Sequence, residues 1–121
     1  MTVTIFHNPG CSNSRGALAL LEAAGTPLHV VEYLKTPLDR AQLAELAAAL
    51  KATAGAAWPG LVEGMLRAKE SLFAELNLAG ASDDTLLDAV AAHPVLLNRP
   101  IVVTAKGAKL CRPPELVHGI L

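Results

Sequence analysis

The chain has 121 residues, 52% of them hydrophobic and 17% charged, with 10 Lys+Arg against 11 Asp+Glu for a net charge of −1. That length supports one domain with a real core, and the composition excludes a disordered chain. The lack of a basic excess disfavours nucleic-acid binding, although a few clustered arginines could still hold a small anion. The two cysteines, Cys11 and Cys111, are too few for a disulfide framework. The opening residues show no basic segment leading into an apolar run, and no uncharged stretch approaches the ~18 residues of a membrane span. The expectation is a cytoplasmic chain with reduced thiols, no signal peptide and no membrane contact.

Residues 2–6 (TVTIF) are β-branched and apolar and predict a buried strand. His7-Asn8-Pro9-Gly10 is turn chemistry, and a helix begins at Ser12, with Ala17, Leu18, Leu21 and Ala24 on one face and Gly25 closing it. Residues 28–33 (LHVVEY) return as a second strand, so this β-loop-α-β unit predicts two parallel strands. Thr36 as N-cap and Pro37 at the first helical position predict a helix that buries Leu43, Leu46 and Leu50. A loose stretch, 53–60, precedes two short helical pieces over 61–68 and 70–77. Ser82 caps a further helix with Leu86, Leu87 and Val90 inward, and His93-Pro94 ends it.

Residues 101–104 (IVVT) predict a strand, Lys106-Gly107 a turn, and 109–112 (KLCR) an antiparallel partner. Pro113-Pro114 then opens a C-terminal helix with Leu116, Val117 and Ile120 facing in. The class is α/β: β-α-β, a helical insertion at about 37–93, then β-β-α, within a single domain spanning 1–121. With the hairpin beside the first strand, the sheet is four-stranded and mixed.

The chemistry centres on Cys11. It stands between a strand and a helix start, where unpaired backbone N–H groups and the positive dipole end favour an anion. A thiolate is such an anion, so a lowered pKa and raised reactivity are expected, against the blander reading of a small packed cysteine. If the strand at 101–104 lies antiparallel beside the first, its start brings Arg99 to the Cys11 edge, and the next strand returns Arg112 there. The competing reading is that these arginines are surface ion-pair partners. Side chains alternate along a strand, so Cys111 points away from the Arg112 face and is expected in the core. A resolving role for it is the minority reading. His7 either pairs with the thiolate or acts as an acid, or else merely caps the strand end through its ring nitrogens. Ser14 replaces the second cysteine of a C-x-x-C motif, so no local disulfide forms. The two cysteines and four scattered histidines lack metal-ligand spacing, so no metal is expected. The C-x3-R spacing of Cys11 and Arg15 does not fit a C-x5-R phosphatase loop.

The segment His7-Asn8-Pro9-Gly10-Cys11-Ser12-Asn13-Ser14-Arg15 resembles the H-N-P-x-C-x-x-S-R loop of the ArsC/Spx family, the glutaredoxin-coupled arsenate reductases and their relatives. Met65-Leu66-Arg67, Asn98-Arg99-Pro100-Ile101-Val102-Val103 and Leu110-Cys111-Arg112-Pro113-Pro114-Glu115 resemble its later motifs in the same order. Ala68-Lys69-Glu70 and the end of the chain at Leu121 resemble the family's short branch. The resemblance implies a thioredoxin-like fold, a cis Arg99–Pro100 bond and Cys11 as the nucleophile on arsenate. It implies Arg67, Arg99 and Arg112 as oxyanion ligands and His7, Ser14 and Arg15 as supporting loop residues. It also implies glutathione as co-substrate, glutaredoxin as partner, no bound cofactor and a monomer. Two alternatives stay open: glutathione-dependent thiol-disulfide exchange on another substrate, and a non-catalytic Spx-like regulator. Ser14 speaks against the latter, whose redox-switch members carry C-x-x-C.

Overall fold

The computed structural model describes residues 2–121. The chain divides into two compact units, one running up to Thr36 together with Arg99–Leu121, the other Pro37–Asn98.

The first unit holds the sheet. Its strands are β1 (Val3–His7), β2 (Leu28–Glu32), β3 (Ile101–Thr104) and β4 (Gly107–Leu110), in the order β2-β1-β3-β4. β1 pairs parallel with β2 and antiparallel with β3, and β3 pairs antiparallel with β4, giving the expected mixed sheet. Helix α1 (Ser12–Ala23) crosses between β1 and β2, and Gly25 follows its C-cap at φ +72°, a conformation open to glycine and strained for other residues. Val3, Ile5, Ala17, Leu21, Val102, Val117 and Ile120 form one buried cluster, and Cys111 lies inside it. The apolar alternation of β1 and the 3.6 period of α1 therefore converge on one core.

In this unit the hairpin and the C-terminal segment differ from the sequence reading. The hairpin turn is Ala105-Lys106, and β4 begins at Gly107 opposite Thr104. Thr104 Oγ1 accepts the Lys106 N–H at 3.0 Å, which closes this shorter turn. Beyond β4 the Cys111 N–H still donates to Pro100 O at 2.9 Å, and Pro113, lacking an N–H, ends the pairing. The C-terminal segment is a 3₁₀ helix, Pro114–Gly119, and not an α-helix. Its turns close through three-residue bonds, Leu116 N–H to Pro113 O and Ile120 N–H to Val117 O, both at 3.1 Å. Val117 and Ile120 are buried as expected.

The second unit is helical. Helix α2 (Arg40–Ala54) starts three residues later than the Thr36 reading. Asp39 accepts the Gln42 N–H while the Gln42 side chain caps the Asp39 N–H. This reciprocal capping box outcompetes a threonine followed by proline. Leu43, Leu46 and Leu50 are buried, with Ala47. The two expected helical pieces shrink to a 3₁₀ turn, Glu63–Met65, and a five-residue helix α3 (Ser71–Glu75). Between them Leu66 bridges Leu97, and the Arg67 N–H donates to Leu96 O at 2.8 Å. That pairing holds the backbone extended where the sequence suggested helix. Helix α4 (Asp83–Ala92) is capped by Ser82 and buries Leu86, Leu87 and Val90. Arg40 joins α2 to α4 through Asp84 at 2.7 Å and Asp88 at 2.8 Å.

Candidate active site

Cys11 is the N-cap of α1, with extended backbone at φ −101° and ψ 124°. The loop ahead of it is fixed by its own polar groups. The Cys11 N–H donates to Asn8 O at 3.0 Å and the Gly10 N–H to Asn8 Oδ1 at 2.9 Å. Arg15 Nη1 donates to Pro9 O at 2.8 Å, stapling the loop to the first turn of the helix. Asn and Pro thus stop β1, and the helix must begin with the sulfur at its electropositive end.

Ser14 organises the same loop from beneath. It is fully buried, its Oγ accepts the Asn8 N–H at 3.0 Å, and it shares a 2.5 Å hydrogen bond with His7 Nδ1. His7 is itself only 5% exposed. Burial lowers its pKa from 6.5, Glu32 opposes this and Arg15 adds to it. The imidazole is therefore neutral at pH 7, and its Nδ1 is engaged by Ser14.

The sheet register carries the arginines to Cys11. Phe6 pairs with Ile101, and Ile101 with Leu110, so Arg99 and Arg112 flank the end of β1. Arg112 Nη1 lies 3.7 Å from Cys11 Sγ and donates to Arg99 O at 2.9 Å. The Arg99–Pro100 and Arg112–Pro113 bonds are both cis, the second of them not foreseen.

Opposing forces act on the thiol. Burial pushes its pKa up, yet the Ser14 N–H, the Arg99 charge, the Asn13 N–H and the Arg112 side chain together hold it below 9.0. The Asn13 and Ser14 amides make no capping hydrogen bond of ordinary geometry to the side chain, but they are aimed at it and favour the anion. Cys111 is the reverse case. It is fully buried, its Sγ donates to Lys109 O at 3.6 Å, and burial pushes its pKa up to about 11. Both cysteines are free, and Cys111 is a core thiol.

Arg67 lies in the helical unit. Its Nη1 is 3.2 Å from Glu70 Oε2 and 3.5 Å from Val95 O. The Glu70 partner escaped the sequence reading, although opposite charges three residues apart are a legible signal. The resemblance implies a loop-supporting part for Arg15, but its acceptor, the Pro9 carbonyl, is a backbone group and leaves no trace in residue type. Among the described residues no group of three or more His, Cys, Asp or Glu could hold a metal ion. No helix of the described residues is long and apolar enough to cross a membrane.

A family model described as the ArsC family matches residues 6–120. The chain belongs to the ArsC family. It is 48% identical to an arsenate reductase of Rhizobium meliloti (strain 1021), covering 100% of this chain and 82% of that relative. It is 40% identical to the arsenate reductase of Escherichia coli (strain K12), covering 98% and 80% respectively. The solved structure of an arsenate reductase from Vibrio cholerae superposes with a TM-score of 0.89 at 45% identity, covering 100% of this chain and 98% of that one. The ArsC sheet of this chain is thus the thioredoxin-like sheet of those relatives, with the motif cysteine at the start of its first helix.

Proposed function

We propose that this ArsC-family chain reduces arsenate to arsenite with the Cys11 thiolate as nucleophile. The observation that carries the reading is Cys11 Sγ at the N-terminus of α1 with Arg112 Nη1 3.7 Å away. A thiolate beside a guanidinium is both the attacking atom and one edge of a cradle for a tetrahedral oxyanion. Arsenate reductases at 40–48% identity along nearly the whole chain support the substrate.

In this reading Cys11 sulfur attacks As(V) and a protonated oxygen of arsenate leaves as water, so an As–O bond is exchanged for an S–As(V) bond with no change of oxidation state. Glutathione sulfur then bonds to Cys11 sulfur. The new S–S bond releases two electrons to arsenic, which departs as arsenite, As(III). A glutaredoxin thiol takes the glutathionyl group and returns the Cys11 thiolate. An external thiol is required because Ser14 occupies the place of a C-x-x-C partner and Cys111 is sealed in the core. Arg99 and Arg112 bind and neutralise the oxyanion. Arg67 is assigned a like part on its motif alone. His7, Ser14 and Arg15 hold the loop. The chain acts as a cytoplasmic monomer of one catalytic domain, with no resident cofactor.

The test is NADPH consumption by purified protein with arsenate, glutathione, glutaredoxin and glutathione reductase, beside a Cys11→Ser control. Turnover that requires Cys11 supports the reading. Absence of turnover while Cys11 is still readily glutathionylated overturns it in favour of thiol exchange on another substrate.

A further inference from the structure

Gly16 stands inside α1, one turn beyond the Cys11 N-cap, where glycine weakens a helix relative to alanine. Its neighbour across the fold explains the choice. A Cβ at position 16 would lie 2.9 Å from Pro114 Cγ and 3.2 Å from Pro114 Cβ. Those atoms belong to a ring closed on the backbone, so they cannot rotate aside as a long side chain would. Any shift must move the chain that carries Pro114. Downstream, Val117 and Ile120 are anchored at 0% and 2% exposure against Ala17 and Leu21 of α1. Upstream, the adjoining stretch is the exposed Arg112-Pro113. A displacement of Pro114 is therefore resisted on the core side and passed to Arg112, whose Nη1 spans Cys11 Sγ and Arg99 O.

We propose that Gly16 is a positioning residue for Arg112. Its missing side chain seats Pro114 against α1, and that seat aims the Arg112 guanidinium at the Cys11 sulfur and at the oxyanion it attacks. The inference rests on the reading of Arg112 as the partner of the thiolate, and the experiment separates the two.

Four variants of the full chain are compared with the wild type: Arg112→Ala, Gly16→Ala, Pro114→Ala and the double Gly16→Ala/Pro114→Ala. The readout is the pH midpoint of Cys11 alkylation by iodoacetamide, read at that residue by mass spectrometry, together with the arsenate KM. Arg112→Ala moves the midpoint upward. Gly16→Ala crowds the seat and Pro114→Ala empties it, so each moves the midpoint the same way by less. Gly16→Ala also raises KM about threefold or more, on the scale where a 1 Å misplacement can cost about a hundredfold. In the double variant the new methyl fills the space the ring vacates, and the midpoint returns toward wild type, a coupling that independent structural damage would not produce. Gly16→Ala and Pro114→Ala at the wild-type midpoint, with Arg112→Ala shifted, overturn the proposal. So does a double variant that shows the sum of its parts. Arg112→Ala at the wild-type midpoint overturns the reading beneath it. Should Gly16→Ala fail to fold, Pro114→Ala, which creates no overlap, carries the same test.

Discussion

Arg112 reaches back across the fold to Cys11, its Nη1 3.7 Å from the sulfur while the same nitrogen donates to the Arg99 carbonyl at 2.9 Å. The second contact fixes the guanidinium, so the first is not a chance encounter of a mobile surface side chain. Arg112→Ala removes a charge-assisted hydrogen bond, worth about 1.5–3 kcal/mol and hence about 10- to 150-fold in oxyanion affinity. Arg112→Lys keeps the charge and loses the fork, so it falls between the two. Arsenate KM in the coupled assay checks the order. A lysine variant no worse than wild type would show that charge alone matters.

The two cysteines differ sharply in reactivity because their surroundings differ. Cys11 has its pKa held below 9.0 by helix amides and arginines despite burial, whereas burial pushes Cys111 up to about 11. At pH 8, iodoacetamide modifies Cys11 and spares Cys111 in the folded protein, as peptide mapping would show. Cys11→Ser abolishes turnover, since a hydroxyl is not ionised there. Cys111→Ser retains substantial turnover and loses about 1–3 kcal/mol of stability, the cost of placing a hydroxyl in an apolar core. A folded but inactive Cys111→Ser protein would give that thiol a place in the reaction.

Most of this arrangement is legible in the sequence. Period-two and 3.6-residue patterns locate β1, α1, β3 and α4 closely, and strand topology alone brings Arg99 and Arg112 to the Cys11 edge. The misplaced boundaries, Thr36 for Asp39 and 109–112 for β4, are places where a side-chain hydrogen bond sets the limit. The Asp39–Gln42 capping box is legible in residue type, but Thr36-Pro37 offers a competing start signal three residues earlier. Extended backbone at Leu66–Arg67 was not readable, because it depends on pairing with residues 96–98, some thirty positions on. The Gly16–Pro114 contact is equally invisible, since a glycine records only that something is close.

Ser14 bears on stability as well as on the site. Its buried hydroxyl holds both the Asn8 N–H and the His7 ring. Ser14→Ala leaves the buried His7 ring and the half-buried Asn8 N–H without that partner, at about 1–3 kcal/mol for the buried group and less for the other. The urea midpoint falls accordingly. The alkylation rate of Cys11 also changes, because the loop residues 8–11 lose their support. A variant that unfolds earlier yet keeps the wild-type alkylation rate would confine Ser14 to a structural part.

His7 gives a pH dependence whose sign can be worked out. Burial lowers its pKa in the folded protein, so the unfolded chain, titrating near the ordinary 6.5, takes up the proton first. Protonation therefore favours unfolding. The group has no effect on stability well above pH 6.5, and stability falls as pH drops through that value toward the lower folded pKa. Below the folded pKa both states are protonated and the loss levels off. Urea unfolding at half-unit steps from pH 7.5 to 5 measures the slope, and His7→Gln, which keeps an amide for Ser14, reduces it. An identical slope in the two proteins would mean that the loss arises elsewhere, with the carboxylates the first groups to examine.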